Sequence, residues 1–278
     1  MGATSAEQAV READLQGALN RVQDEIRKAP ADAELRVFLF QLLCVLGQWE
    51  RALTQLNLAA ELDAKALAMS QMYREAIRCE LLRTQVFAGR TSPMIFGEPQ
   101  QWLALLIESL LTQAAGSAAN AEELRARAFD SAPATSGSID GAAFEWLADA
   151  DMRLGPVCEA VINGRYYWIP FENLARIDLE APADLRDLVW VPAHFQFTNG
   201  GESVGVIPTR YPGSDQAEDA LLRLARKTVW LEPSPGVFHG LGQRMLTSDN
   251  GDHPLLDVRN ICFGEEVERH AEEIARHD

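Results

Sequence analysis

The chain has 278 residues, 47% of them hydrophobic and 24% charged, and its formal net charge at pH 7 is −16. This length suits two domains that each bury a hydrophobic core. The acidic charge repels phosphate groups, so it argues against nucleic acid and anionic membranes as partners and favours a basic protein segment. The sequence has no 18-residue apolar run and no pattern of a secretory signal, so we expect a cytoplasmic protein.

Helical periodicity runs from about residue 6 to residue 130, and its first part contains a repeat. Small and apolar residues recur 34 positions apart, in the pairs Leu15 and Trp49, Ala18 and Ala52, Leu19 and Leu53, and Val22 and Leu56. A period of 34 is typical of tetratricopeptide repeats, in which helix pairs stack and share a core. A third copy in register is absent. We therefore expect a longer helix over residues 64–89, then helices over 100–113 and 122–129, to cap the open face.

The first helix of each tetratricopeptide pair lines a concave groove that binds a partner helix. With the second unit starting at Ala33, the predicted partner-binding residues are Glu7, Val10, Val37, Gln41, Cys44, Gln71, Glu75 and Arg78. This groove is apolar with acidic edges, so it favours an amphipathic or basic helix. The alternative, that the capping helices fill the groove, is left open by the sequence.

The pattern changes after residues 131–141, a stretch of Pro, Thr, Ser and Gly where we place a domain boundary. Two hairpins are predicted beyond it. Asn163-Gly164 suits the tight turn between strands over 157–162 and 165–169, and Asn199-Gly200-Gly201 suits a turn between 188–198 and 203–208. The remaining predictions are a helix over 215–226 and strands over 228–232 and 254–263.

These patterns predict an α+β fold class with two domains and a tail. We expect a tetratricopeptide-like, all-helical domain over residues 1–132 and a mixed, mainly antiparallel α+β domain over 142–263. An acidic tail over 264–278 has apolar residues spaced by four and three, so it can form a thin amphipathic helix.

The motifs that suggest chemistry are weak. Ser203 lies in a literal G-x-S-x-G, but an extended run follows it where an esterase has a helix, so we interpret the match as chance. Residues 249–253 are rich in carboxylates but lack the spacing of a calcium loop. The four cysteines are far apart and indicate neither a zinc site nor a disulfide framework. We predict no catalytic residue, metal or cofactor. A serine esterase that uses Ser203 with His194 or His239 is the enzymatic alternative.

Longer matches connect the chain to a known family. They are EADL with GAL within residues 12–19, GRYYWIPF at 164–171, DLRDLVW at 184–190, NGGE at 199–202, PTRYPG at 208–213 and GQRML at 242–246. In these segments the chain closely resembles the ImpE family, also called TagJ or SciE-type, of accessory proteins of bacterial type VI secretion. The resemblance extends over nearly the whole length to Phe263.

The resemblance implies a non-catalytic cytoplasmic adaptor. Its expected partners are the N-terminal helical segment of the small contractile-sheath subunit and the AAA+ unfoldase that recycles contracted sheath. No family motif identifies the binding residues, so the groove residues above come from the repeat pattern alone. A tetratricopeptide adaptor for an unrelated helical partner is the alternative of the same class.

Overall fold

The computed structural model describes residues 5–264, so the predicted tail lies outside the described residues apart from Gly264. Helices form the first part and a mainly antiparallel sheet forms the second, which confirms the α+β class. The helices of the first part are α1 (Ser5–Arg11), α2 (Leu15–Lys28), α3 (Ala33–Val45), α4 (Trp49–Leu62), α5 (Leu67–Phe87), α6 (Gln101–Ala114) and α7 (Ala118–Ser131). None of the described helices is long and apolar enough to cross a membrane.

The helices follow the predicted 34-residue period. α2 and α4 each have 14 residues, and α4 begins and ends 34 residues after α2. Ala18 and Ala52 occupy equivalent positions in these helices and both are fully buried, since a small side chain lets the neighbouring helix approach closely. Asp14 and Asp32 accept hydrogen bonds from backbone N–H groups at the start of α2 and α3, which satisfies donors that a helix leaves unpaired.

The second part contains most of the strands. They are β1 (Met94–Ile95), β2 (Gly137–Ile139), β3 (Ala142–Phe144), β4 (Leu147–Asp149), β5 (Val157–Ile162), β6 (Arg165–Pro170), β7 (Leu174–Leu179), β8 (Trp190–Phe197), β9 (Glu202–Pro208), β10 (Thr228–Ser234), β11 (Val237–Gly242), β12 (Met245–Ser248), β13 (Gly251–Pro254) and β14 (Asn260–Phe263). Within residues 5–264, one sheet has the order β1-β6-β5-β9-β8-β7-β14-β2-β3, a second has the order β13-β12-β4, and β10 pairs with β11. All these pairs are antiparallel except β1 with β6.

Both predicted hairpins are confirmed. β5 pairs with β6 across Asn163 and Gly164, whose φ angles of 51° and 71° are those that a type I′ turn requires. β8 pairs with β9 across the turn at 198–201.

Two other predictions are wrong in extent. The segment predicted as a helix over 215–226 has a 3₁₀ turn at Ser214–Gln216 and only a short helix, α8 (Ala220–Arg223), because Ala225 adopts a positive φ of 52° just after it. The predicted strand over 254–263 is interrupted, because Leu255 and Leu256 leave the sheet and enter the core; β14 begins only at Asn260.

The sheet buries both of its faces. Every residue of β5 is buried, and alternate side chains point to opposite faces. Val157 and Val161 belong to the core that the sheet shares with the helices, whereas Ala160 and Ile162 belong to a second core on the far side. One hydrophobic core therefore crosses the predicted domain boundary.

Candidate partner-binding surfaces

The face predicted to bind a partner is covered in part by the chain's own sheet. The indole of Trp190 in β8 packs against Tyr73 of α5 and Trp49 of α4, with ring centroids 5.8 Å apart in both pairs. Its Nε1 donates a hydrogen bond of 3.0 Å to Glu80 Oε1 of α5. Because α5 was one of the helices expected to line an open groove, Trp190 takes up part of the space that a partner helix was predicted to occupy.

Buried charges hold the sheet against α5. Arg83 Nε donates to Glu159 Oε1 at 2.7 Å, and Arg83 Nη2 donates to Glu159 Oε2 at 3.0 Å. Tyr166 and Arg244 also donate to the same carboxylate. Glu159 is fully buried, so these donors replace the water that the carboxylate loses on folding. The cluster joins α5, β5, β6 and the start of β12.

A second buried carboxylate extends this cluster. Arg244 Nε lies 3.0 Å from Asp149 Oδ2, and the hydroxyl of Tyr211 donates to Asp149 Oδ1 at 3.0 Å. Burial raises the pKa of Asp149 to about 6, and the Arg244 cation opposes this rise. All of these side chains are buried, so the arrangement fixes the packing of the two parts.

Two arginines of the second part cap helices of the first part. Arg210 Nη1 and Nη2 donate to the carbonyl oxygens of Val45 and Cys44, at 2.8 and 3.2 Å, where α3 ends. Arg226 Nη1 donates to the carbonyl oxygen of Arg11, at 3.0 Å, where α1 ends. The last carbonyl groups of a helix have no partner within the helix and attract a cation. The second part thus binds the carboxyl ends of both helices.

An open cleft remains at the edge of the covered face, and we call it the α1–α3 cleft. Its helical wall contains Glu7 and Val10 of α1 with Phe38 and Gln41 of α3, and its other wall is residues 182–188. The volume is about 390 Å³. Three of the eight predicted residues, Glu7, Val10 and Gln41, therefore lie together at the cleft, where Glu7 is half-buried and Val10 and Gln41 are buried.

The charged side chains of the cleft have both signs. Arg11 and Arg226 lie near the helical wall, and Asp184 lies on the other wall. Asp184 forms an ion pair of 2.6 Å with Arg186. Burial raises the pKa of Asp184, and the charge of Arg186 opposes that effect. Apolar contacts inside the cleft are thus surrounded by charges that can orient a bound segment.

Two further predicted residues lie on α3 but do not line this cleft. Val37 is one helical turn before Gln41 and is partly exposed. Cys44 has no exposed surface, and burial raises the pKa of its thiol well above the usual range. In this structure Cys44 contacts only the chain itself, so it can support a binding surface but cannot touch a partner.

The predicted residues on α5 lie apart from the cleft. Gln71 and Arg78 are exposed. Glu75 is half-buried, forms an ion pair of 2.7 Å with Arg78, and packs beside Gly164 in the β5–β6 turn. The structure does not bring these residues together with those of α1 and α3 in one cleft.

The wall at 182–188 was not predicted as part of a binding site. Leu185 and Leu188 are half-buried there and contact the shared core. Two leucines three residues apart among charged residues suit a surface turn with one apolar side, but the sequence does not show that this turn faces α1. That placement depends on β8 packing against the helices.

Ser203 lies within β9, opposite Phe195 of β8, and not on a turn from a strand into a helix. In the described residues, no hydrogen bond joins Ser203 to a histidine. His194 in the neighbouring strand lies 3.4 Å from Glu202, measured between Nε2 and Oε2. In residues 5–264 there is also no group of three His, Cys, Asp or Glu side chains placed to hold a metal ion. Ser203 therefore lacks the strand-to-helix turn that exposes the nucleophile of an esterase.

Comparisons with known proteins agree with the resemblance. Residues 141–262 match the ImpE protein family. The chain is 49% identical over 258 residues to the "Type VI secretion system accessory component TagJ" of Pseudomonas aeruginosa, covering 93% of this chain and 90% of that protein. The crystal structure of protein VPA1032 from Vibrio parahaemolyticus has a TM-score of 0.85 and 25% identity, covering 96% of this chain and all of the other. The chain therefore belongs to the ImpE family.

Proposed function

We propose that this protein is a non-catalytic accessory component of a bacterial type VI secretion system that acts as an adaptor in the cytoplasm. In this proposal it binds the N-terminal helical segment of the small contractile-sheath subunit and links the sheath to the AAA+ unfoldase that recycles it. The name of the Pseudomonas aeruginosa relative supports the accessory role. The structure supports binding through the α1–α3 cleft.

The observation that carries the proposal is the shape and chemistry of that cleft. Two helix faces and the 182–188 wall border an open volume of about 390 Å³, and the half-buried apolar side chains of Phe38, Leu185 and Leu188 are among the lining residues. A helix with a few apolar side chains on one face fits such a site, since burial of those side chains gives affinity. The net charge of −16 favours basic residues on the rest of the bound segment.

The test is a titration of a labelled peptide from the sheath subunit's N-terminal segment against the full chain, followed by fluorescence anisotropy. Leu185→Asp places a charge among the apolar contacts, so we expect its Kd to rise at least about tenfold. Val204→Asp is the matched control, because Val204 is 74% exposed on β9 and does not line the cleft. Both variants should be checked by thermal unfolding, because a folded Leu185→Asp that binds normally would contradict this site.

A second arm tests the adaptor role. The purified unfoldase is immobilised and incubated with the sheath subunit in the presence or absence of this protein. We expect the protein to increase the amount of sheath subunit retained, and Leu185→Asp to lose that increase. Retention that does not depend on the protein would argue against a linking role. If the cleft binds helices of unrelated sequence with equal affinity, that result would favour the alternative function, a tetratricopeptide adaptor for an unrelated helical partner.

A further inference from the structure

A second apolar groove lies between α4 and α5. It is lined mainly by the start of α4, with Trp49 and Leu53, and by Ile77 and Leu81 of α5, and its volume is about 440 Å³. Leu81 is 51% exposed. None of the residues that line the α1–α3 cleft lines this groove. It is therefore a separate surface, with its own apolar floor.

The repeat explains why this groove is open. α5 begins at Leu67, which is 34 residues after the start of α3 at Ala33, so α5 takes the place of the first helix of a third unit. In the second unit the chain turns at Gly47, with φ of 67°, and α4 folds back along α3. The position 34 residues after Gly47 is Leu81. The chain does not turn there, because α5 continues as a helix to Phe87. The third unit consequently lacks its second helix.

The missing helix leaves equivalent positions unequally covered. Leu15 and Leu19 of α2 are 6% and 5% exposed, because the second unit packs on the first. Trp49 and Leu53 of α4, one period later, remain partly exposed. Stacked repeats bury such residues under the next pair of helices. The α4–α5 groove is thus the surface that the second helix of a third unit would cover if the repeat continued.

We propose that this groove binds an amphipathic α-helix of a partner protein, which takes the place of the missing second helix of the third unit. The chain's own second helices show which sequence would fit. Each carries a large apolar residue, a small residue three positions later, and apolar residues four and seven positions after the first, as in Leu15, Ala18, Leu19 and Val22. The partner helix should have this pattern over about 14 residues, the length of α2 and α4.

This site goes beyond the function proposed above, because it gives the chain a second docking surface. An adaptor that holds two partners needs two surfaces that can be occupied together. The rim of the groove carries Glu50 and Arg51, so polar residues should flank the apolar stripe of the bound helix.

The probe is a labelled peptide with the sequence of residues 47–63, stapled between positions 50 and 54, which are exposed in α4. The staple is needed because an isolated helix of this length is only marginally stable. Titrated against the full-length protein, it should show saturable binding, and Leu81→Glu should weaken that binding at least about tenfold. Leu111→Glu, at a residue 37% exposed on α6, is the matched control and should bind the peptide like wild type.

Two further comparisons and a measurement of the oligomeric state make the result decisive. A peptide in which Glu replaces Ala52 should bind at least about tenfold more weakly, because the small side chain of Ala52 permits close packing between helices. Leu185→Asp should bind the stapled peptide normally, which separates this site from the α1–α3 cleft. Absence of saturable binding, or equal binding to Leu81→Glu, would overturn the proposal. So would a dimer of the protein alone that Leu81→Glu dissociates, because a second copy would then occupy the groove.

Discussion

Arg83 and Glu159 form a two-point ion pair across the junction between the helices and the sheet, with Nε to Oε1 at 2.7 Å and Nη2 to Oε2 at 3.0 Å. The Arg83 side chain is 5% exposed and that of Glu159 is fully buried. Removing two charges from water is costly, so such a pair persists only where further hydrogen bonds complete it. Here those bonds come from Tyr166 and Arg244. The pair fixes how β5 sits on α5, and with it the position of β8 over the predicted groove.

Glu159→Gln should strongly destabilise the protein. The substitution leaves Arg83 and Arg244 buried without their shared negative charge, and breaking a buried pair in this way costs about 3–5 kcal/mol. The measurement is urea-induced unfolding of both proteins. Glu202→Gln, at an exposed carboxylate, should change the free energy of unfolding by less than about 0.5 kcal/mol. Equal effects of the two substitutions would show that the buried cluster does not secure the fold.

Limited proteolysis should cleave the segment 133–136 without separating the two parts. These residues lie between α7 and β2 and are largely exposed, as a protease requires. Trp168 and Trp190 share a hydrophobic core with Leu43, so that core contains side chains from both sides of the cleavage site. We therefore expect both fragments to elute together in gel filtration under native conditions. Fragments that elute separately and stay folded would show that residues 1–132 form an independent domain.

The sequence predicted local structure well and long-range packing poorly. The 34-residue period and the Asn163-Gly164 turn are local signals, and the structure contains the helices and the hairpin that they indicate. Cys44 shows the limit of this reasoning. It lies on a predicted groove position, yet Arg210, which is 166 residues away in sequence, binds its carbonyl group and helps to cover it. No periodicity in α3 indicates that an arginine so distant in sequence will pack there.

His239→Gln should remove a pH dependence of stability. Burial, with the nearby Arg153 cation, lowers the pKa of His239 to about 4 from an ordinary value of 6.5. A histidine with a depressed pKa in the folded state contributes stability above pH 6.5, and this contribution is lost as the pH falls through the folded pKa, because the unfolded chain binds the proton first. The unfolding free energy of wild type relative to His239→Gln should therefore fall as the pH is lowered from 7 to 4. A constant difference over that range would refute this effect.

Ser203→Ala should leave every activity of the protein unchanged. Ser203 lies in the β8–β9 ladder opposite Phe195, so it lacks the strained turn that exposes an esterase nucleophile. A fluorophosphonate probe should therefore not label the wild-type protein at this residue. Labelling at Ser203 that the substitution abolishes, together with loss of a hydrolytic activity, would show that the protein is an enzyme.

The most direct test of the central claim is site-specific photo-crosslinking from the wall of the α1–α3 cleft. A benzophenone amino acid replaces Ala183, which lines the cleft, and in separate proteins it replaces Leu81 or Val204. Each protein is irradiated with the purified small sheath subunit, with and without its N-terminal segment. We predict a crosslink from position 183 that requires that segment, and none from position 204. A crosslink from position 81 or 204 but not from 183 would contradict the claim that the sheath helix binds in this cleft.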